Sequence, residues 1–101
     1  MATTTKALAR TAATTNTATT LYTTPAGSSA VVTNVVLSNT AATSSTATIA
    51  FNSVNIIPTV SIPANSVVAF DMKQVIAASQ TITGGASTTA VNIHISGVEI
   101  A

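Results

Sequence analysis

The stretch 90–100 alternates apolar and polar residues more regularly than the rest of the sequence. Side chains alternate between the two faces of a β-strand, so this pattern predicts one long strand with an apolar face. That face carries Val91, Ile93 and Ile95. At Gly97 the alternation shifts by one position, because Val98 and Ile100 are apolar and Glu99 is polar. A glycine inside a strand often marks a β-bulge, so we expect a central strand with a bulge at Gly97.

Similar alternation upstream predicts shorter strands that are separated by turn-forming residues. These segments are 19–23, 30–39, 46–51, 54–57, 59–62, 66–72 and 80–83. Asn52-Ser53 fits a two-residue hairpin loop, since Asn tolerates a positive φ, and Gly84-Gly85 is expected in the loop before the final strand. Pro58 indicates an edge strand or a bulge. About seven or eight short strands with these turn signals predict an all-β fold, an antiparallel β-sandwich of the jelly-roll type.

The segment 30–39 carries apolar residues at both phases of the alternation. Its two faces are formed by Val31, Val35 and Leu37 and by Val32, Asn34, Val36 and Ser38. A strand with apolar side chains on both faces is usually buried on both sides. We therefore expect part of this strand to be covered on both sides, by a second sheet or by another subunit. Further along the chain, the alternation predicts an inward face made of Val68, Phe70 and Met72.

Residues 1–18 consist mainly of Thr and Ala and contain Leu8 as their one large aliphatic residue. Such a segment buries too little apolar surface to offset the conformational entropy lost on ordering, so we expect an extended N-terminal arm. The sequence is therefore divided into an arm at 1–18 and a β-sandwich domain at 19–101. The arm carries Lys6 and Arg10, and it would either lie on a neighbouring subunit or remain a solvated tail.

Charged residues make up 5% of the sequence, against roughly a quarter of an ordinary soluble protein, and the net charge is +1. Weak self-repulsion favours contact between copies, so we expect the protein to function in an assembly. The arm has too few cations to bind nucleic acid tightly, because the affinity of a protein for nucleic acid grows with the number of phosphates that it neutralises. The sequence has no cysteine, no recognisable secretory signal and no apolar run of the ~18 residues that a membrane helix needs. We therefore expect synthesis in the cytoplasm and neither a nucleic-acid nor a membrane partner.

The titratable residues that could support catalysis are one histidine and two carboxylates. His94 and Asp71 could join a serine in a formal triad, but the sequence lacks the G-x-S-x-G elbow that exposes a nucleophilic serine. Asp71 and Glu99 are the only candidates for a glycosidase pair, and each falls on the polar face of a predicted strand. The same few groups make a poor metal site. We expect no enzymatic activity, no cofactor and no metal.

Four segments of the sequence resemble small β-sandwich proteins in the virions of tailed bacteriophages. They are LYTTPAG at 21–27, AVVTNVVLSNT at 30–40, IPANS at 62–66 and VNIHISGVEI at 91–100. Such proteins serve as capsid decoration (cement) proteins, as head fibres or as tail accessory proteins. The resemblance covers residues 19–100 and leaves the arm outside, and segment 77–82 departs from it because relatives of this kind carry a Gly-Asp turn there. It implies a structural role without catalysis.

The resemblance and the composition together predict a decoration protein, a homotrimer on the outer capsid surface that contacts the major capsid protein. Many weak contacts repeated over a shell would stabilise the shell through multivalency. The residues that we expect at subunit contacts are Lys6, Leu8 and Arg10 in the arm, and Val32 and Val36 in the strand. One alternative is a head-fibre or tail accessory module that binds a host receptor or glycan. Another is a pilus-type subunit that donates its arm as a strand to the next copy.

Overall fold

The computed structural model describes residues 3–101, which form eight strands in two four-stranded antiparallel sheets. The strands are β1 (Thr3–Ala12), β2 (Thr20–Thr23), β3 (Ser29–Asn39), β4 (Ser45–Phe51), β5 (Val54–Ile62), β6 (Val67–Ile76), β7 (Thr81–Ala86) and β8 (Val91–Ile100). Sheet I has the order β1-β8-β3-β6, and sheet II has the order β2-β7-β4-β5. The two sheets form a sandwich, so the predicted all-β antiparallel fold is confirmed. No helix within residues 3–101 is long and apolar enough to cross a membrane.

The core lies between the two sheets and consists mainly of aliphatic side chains from alternate strand positions. Large side chains with less than 2% of their surface exposed include Leu37, Ile49, Ile62, Ile76, Ile82, Ile93 and Ile95. β-Branched residues dominate because their restricted χ1 rotamers suit a pleated surface. The prediction for β6 is confirmed, since the side chains that pack against this core include Val68, Phe70 and Met72.

The hairpin between β4 and β5 has the turn that the sequence predicts. Asn52 and Ser53 adopt φ values of 51° and 64°, the left-handed conformation that a two-residue hairpin loop requires. Pro58 lies within β5, which is an edge strand of sheet II, and Thr59 beside it has a φ of 41°. The pairing of β4 with β5 shifts register at this point. The edge position and the bulge predicted from Pro58 are therefore both present, within one strand instead of two.

The expected division of β3 into two faces is wrong, because the strand contains an irregularity at Thr33. The pairing of β3 shifts register between Val32 and Asn34 against both of its neighbours. Val32 is therefore fully buried in the core, whereas Val31 and Val36 remain partly exposed on the opposite side. One extra residue in the strand reverses which of these side chains face the core.

The bulge expected at Gly97 lies instead on the two strands that flank β8. β8 pairs without interruption through Ser96 and Gly97, while β3 shifts register at Thr33 and β1 shifts at Leu8. A side chain at Gly97 would collide with the Val31 carbonyl oxygen and would lie 3.0 Å from Leu8 Cδ1. The glycine therefore accommodates the bulged neighbours, and its absence of a side chain is required by packing.

Gly84 and Gly85 lie inside β7 and not in the hairpin loop, which begins after Ala86. A Cβ atom on Gly84 would come within 2.6 Å of Ile49 Cδ1. A Cβ on Gly85 would come within 2.8 Å of the Thr14 carbonyl oxygen. The two glycines permit close packing on both faces of β7, which a turn signal in the sequence does not reveal.

Residues 3–12 form β1 at the edge of sheet I, where the sequence predicts an arm outside the sandwich. β1 pairs antiparallel with β8, and Leu8 and Ala9 are 6% and 8% exposed. The bulge at Leu8 turns both side chains toward the core, and the backbone ladder adds to the stabilisation that a single leucine provides. The chain then crosses to sheet II, where the Thr14 and Thr19 carbonyls accept hydrogen bonds from the backbone of β7. Residues 1 and 2 of the expected arm lie outside the described residues.

Candidate assembly surface

The outward side of sheet I carries an unusual number of valines for a surface exposed to water. We call this surface the valine face and define it by Val31, Val36, Val67, Val75 and Val98. Val67 is 61% exposed and Val75 is 70% exposed. Val31 lies opposite Val75 on one neighbouring strand and opposite Val98 on the other, so three valines form a continuous row across β6, β3 and β8. Contiguous exposed apolar residues of this kind mark interaction sites.

Charges on the outward side of sheet I are confined to its two edges. Arg10 lies on β1 opposite His94, and Asp71 lies on β6 opposite Asn34. Lys73 follows Asp71 at the next outward position of β6. Within residues 3–101 the only ion pair joins Lys6 and Glu99, so none of these edge charges has an ionic partner in the same chain. The centre of the face is apolar or uncharged.

A polar cluster at one end of the sandwich joins the two sheets. Glu99 on β8 accepts hydrogen bonds at Oε2 from Lys6 Nζ on β1, at 3.1 Å, and from the Tyr22 hydroxyl on β2. The hydrogen bond from Tyr22, followed by that from Lys6, lowers the pKa of Glu99. Burial, followed by the bond to Glu99, raises the pKa of Tyr22 to about 12. The cluster therefore acts as a clasp that holds β1, β8 and β2 together near neutral pH.

Two of the five predicted contact residues belong to the core of the sandwich. Leu8 is 6% exposed and Val32 is completely buried, so neither side chain can reach another subunit while the sandwich is intact. Lys6 keeps 46% of its side chain exposed but is engaged by Glu99. The bulges at Leu8 and Thr33 turn Leu8 and Val32 toward the core. No local sequence pattern marks these bulges, so the sequence led us to expect both side chains at subunit contacts.

The other two predicted residues do lie on the outward side of sheet I. Arg10 and Val36 both pair with His94, so the three residues form one row across β1, β8 and β3. Sequence reasoning missed Val31 and also Val75, which is 70% exposed. The alternation in β6 could have identified Val75 as outward, whereas Val31 depends on the irregularity at Thr33.

The residues considered for catalysis are kept apart. His94 and Asp71 lie on the outward side of sheet I, on strands separated by β3, whereas Glu99 engages Tyr22 of the opposite sheet. Within residues 3–101 no three side chains of His, Cys, Asp or Glu are grouped so that they could hold a metal ion. The fold therefore assembles neither the formal triad nor the carboxylate pair.

Sheet II bears a shallow groove of about 480 Å³ on its outward side. Its walls are uncharged, and the lining residues include Thr17, Thr48, Ser53, Asn55, Thr59 and Thr83. The Thr48 hydroxyl accepts a hydrogen bond from the Thr59 backbone at 3.2 Å, which fixes the bulged part of β5 over the groove. The groove offers hydroxyl and amide groups for hydrogen bonding, without an aromatic side chain in its lining.

Comparisons with known proteins give a likeness in fold. No protein-family model and no curated protein matches the sequence. The Drosophila NLP core, whose crystal structure addresses pentamer formation and histone binding, is 15% identical with a TM-score of 0.51, over 99% of this chain and 97% of that chain. The tobacco streak virus coat protein is 11% identical with a TM-score of 0.46, over 99% and 86%. A pentameric capsid protein from metagenomic phage sequences is 23% identical with a TM-score of 0.38, over 86% and 56%. The Drosophila structure supports the β-sandwich fold, and the two weaker likenesses are to capsid proteins.

Proposed function

We propose that this chain is a structural virion protein of the decoration type, which binds the outer surface of a capsid shell and stabilises it. The observation that carries the proposal is the valine face, a row of exposed valines on a protein with 5% charged residues. An apolar surface without flanking repulsion is suited to permanent contact with other protein subunits. The four sequence segments that resemble phage virion proteins indicate that those subunits belong to a capsid.

The energy available from the valine face favours binding through several copies. Fully burying one valine is worth ~1.5–3 kcal/mol, so covering the exposed fractions of Val67 and Val75 would contribute about 2–4 kcal/mol. Loss of free motion on association costs on the order of 4–15 kcal/mol. One face therefore binds weakly, and stable attachment requires linked copies whose contacts add. We accordingly propose a closed oligomer, a homotrimer, that contacts the major capsid protein.

The proposal includes no enzymatic activity, cofactor, nucleic acid or membrane. A head-fibre or tail module that binds a receptor or glycan is the second candidate, favoured by the hydroxyl-lined groove on sheet II. A pilus-type donor strand has less support, because β1 completes the sheet of its own chain. The virion surface is the expected location of the protein in either of the first two cases.

The decisive experiment measures the copy number of this protein relative to the major capsid protein in purified particles by quantitative mass spectrometry. Hundreds of copies in each particle are expected for a decoration protein. A dozen or so would instead favour a fibre or tail module, and absence from the particle would contradict a virion role. The oligomeric state of the purified protein, determined by light scattering, tests the trimer separately.

A pair of variants tests the valine face. Val36 lies near its centre, and Val36→Asp should weaken binding to shells assembled without the protein by about tenfold or more, because a charge must be desolvated. Val54→Asp is the matched control, since Val54 is 69% exposed on β5 of the other sheet. Circular dichroism confirms that both variants fold. Equal shell binding by the two variants would exclude the valine face as the contact.

A further inference from the structure

Three of the four edge strands contain features that discourage pairing with another chain. β2 is only four residues long, β5 contains Pro58 and the left-handed Thr59, and β1 has a bulge at Leu8. Short strands, prolines and bulges are the usual protections of exposed sheet edges. β6 has ten residues and no proline, and its side chains alternate outward and inward along the whole strand, although its pairing with β3 shifts register where Met72 and Lys73 lie opposite Thr33. Among the described edge strands it is therefore the longest whose side chains keep one alternation throughout, and its outer edge has no partner strand within residues 3–101.

The charges on β6 are arranged symmetrically about Met72. Asp71 precedes Met72 and Lys73 follows it, and both charged side chains point outward. If a second β6 strand is aligned antiparallel with Met72 opposite Met72, then Asp71 of each copy faces Lys73 of the other. Isologous interfaces require such self-complementarity, in which residue i meets residue j and j meets i.

The same alignment matches the remaining side chains of β6. Outward Ala69 faces outward Val75 of the second copy, and Phe70 on the inward side faces Gln74. Phe70 and Met72 are only partly buried in the single chain, so the added strand would cover them further. A register displaced by one residue would instead bring inward and outward side chains opposite each other.

We infer that β6 pairs with β6 of a second copy of this chain, antiparallel and across a two-fold axis at Met72. The contact joins the two copies of sheet I into one continuous sheet and gives Asp71 and Lys73 the ionic partners that they lack within the described chain. This contact does not depend on a capsid or on the proposed function, because it involves only copies of the protein.

Charge reversal tests the contact directly. Asp71→Lys and Lys73→Asp each place like charges opposite each other, so each variant alone should self-associate through this edge about tenfold more weakly or worse. An equimolar mixture of the two variants restores opposite charges at both positions and should form heterodimers at wild-type strength. The double variant Asp71→Lys/Lys73→Asp should also recover self-association. Sedimentation equilibrium over a concentration series measures the association, and native mass spectrometry identifies the heterodimer.

Arg10→Asp is the control for this experiment, because it reverses a charge on the opposite edge of sheet I and should leave the contact unchanged. All the altered side chains are exposed, and circular dichroism verifies the fold of each variant. Wild-type self-association that both single reversals leave intact would overturn the inference. A wild-type protein without two-fold association, or a mixture that forms no heterodimer, would do the same. Wild-type protein that associates through β6 but does not bind shells would refute the proposed function alone.

Discussion

Replacement of Leu8 by alanine tests whether β1 is an integral strand of the sandwich. Leu8 is the one large aliphatic side chain between residues 3 and 18, and the structure buries all but 6% of it. Its Cδ1 atom lies over Gly97, which offers no side chain that could move into the vacated space. If β1 were an arm in solvent, the same substitution would remove no packing and would have almost no effect on stability.

The expected loss follows from the atoms removed. Leu8→Ala deletes three carbon atoms, which at ~0.8 kcal/mol for each buried methylene amounts to about 2.4 kcal/mol. The rigid neighbours retain part of the cavity, and comparable core substitutions cost ~2–5 kcal/mol. We therefore expect the free energy of unfolding to fall by about 3 kcal/mol. Since single domains are stable by ~5–15 kcal/mol, this loss is a large fraction of the total.

Urea denaturation monitored by circular dichroism measures this loss. The midpoint should fall while the slope stays constant, because the surface exposed on unfolding is nearly unchanged. Measurements at several protein concentrations separate folding from self-association, which adds to apparent stability. Arg10→Ala is the control on the same strand, since Arg10 is exposed and should change stability by less than about 0.5 kcal/mol. A Leu8→Ala effect no larger than that of the control would refute the assignment of β1 to the sandwich.

Two further predictions concern buried polar groups. Asn39 is 2% exposed, and its side-chain amide donates hydrogen bonds to the Thr43 and Ile62 carbonyls at 2.9 and 3.1 Å. Asn39→Ala leaves these carbonyls without their donor, so it should lower the free energy of unfolding, measured by urea titration, by about 2–3 kcal/mol. Because the pKa of Glu99 is lowered in the folded protein, its ionised carboxylate stabilises the fold at pH values above the ordinary glutamate pKa. This stabilisation is lost as the pH falls through the lowered pKa of the folded protein. Melting temperature should therefore fall on acidification, and Glu99→Gln should flatten that fall; identical pH profiles would contradict the clasp.

The elements that the sequence predicts well are those determined by neighbouring residues. Alternation located most strands, because a half-buried strand must place apolar residues at every second position. Asn52-Ser53 predicted the hairpin turn, since few residues tolerate two consecutive positive φ values. Pro58 predicted an edge, because proline cannot donate a ladder hydrogen bond. Each of these inferences uses physics contained within a few residues.

The features that the sequence did not reveal depend on distant strands. Gly97 marked an irregularity, but only the pairing of three strands shows that β1 and β3 carry the bulges while β8 is regular. The outward orientation of Val31, one of the five residues of the valine face, and the inward orientation of Val32 follow from the shift at Thr33. β1 itself lacks the apolar alternation of a strand and is held by β8, so its composition resembles that of an arm. Arg10 and Val36 lie on the outward side of sheet I, and their contact with another subunit stays a prediction.

Because the protein carries few charges, the geometry of its sheet edges has more influence on association between copies than it has in most proteins. Most proteins limit association between exposed strands partly by net charge, whereas this chain has a net charge of +1. Bulges, a proline and a short strand protect three edges, and the two proposed contacts use the remaining edge and the valine face. On that edge, Asp71 and Lys73 permit only the register in which each faces the other, since displaced registers oppose like charges or leave one unpaired. In the proposed contact, the few charges of the protein thus select one register among the many that an uncharged edge would allow.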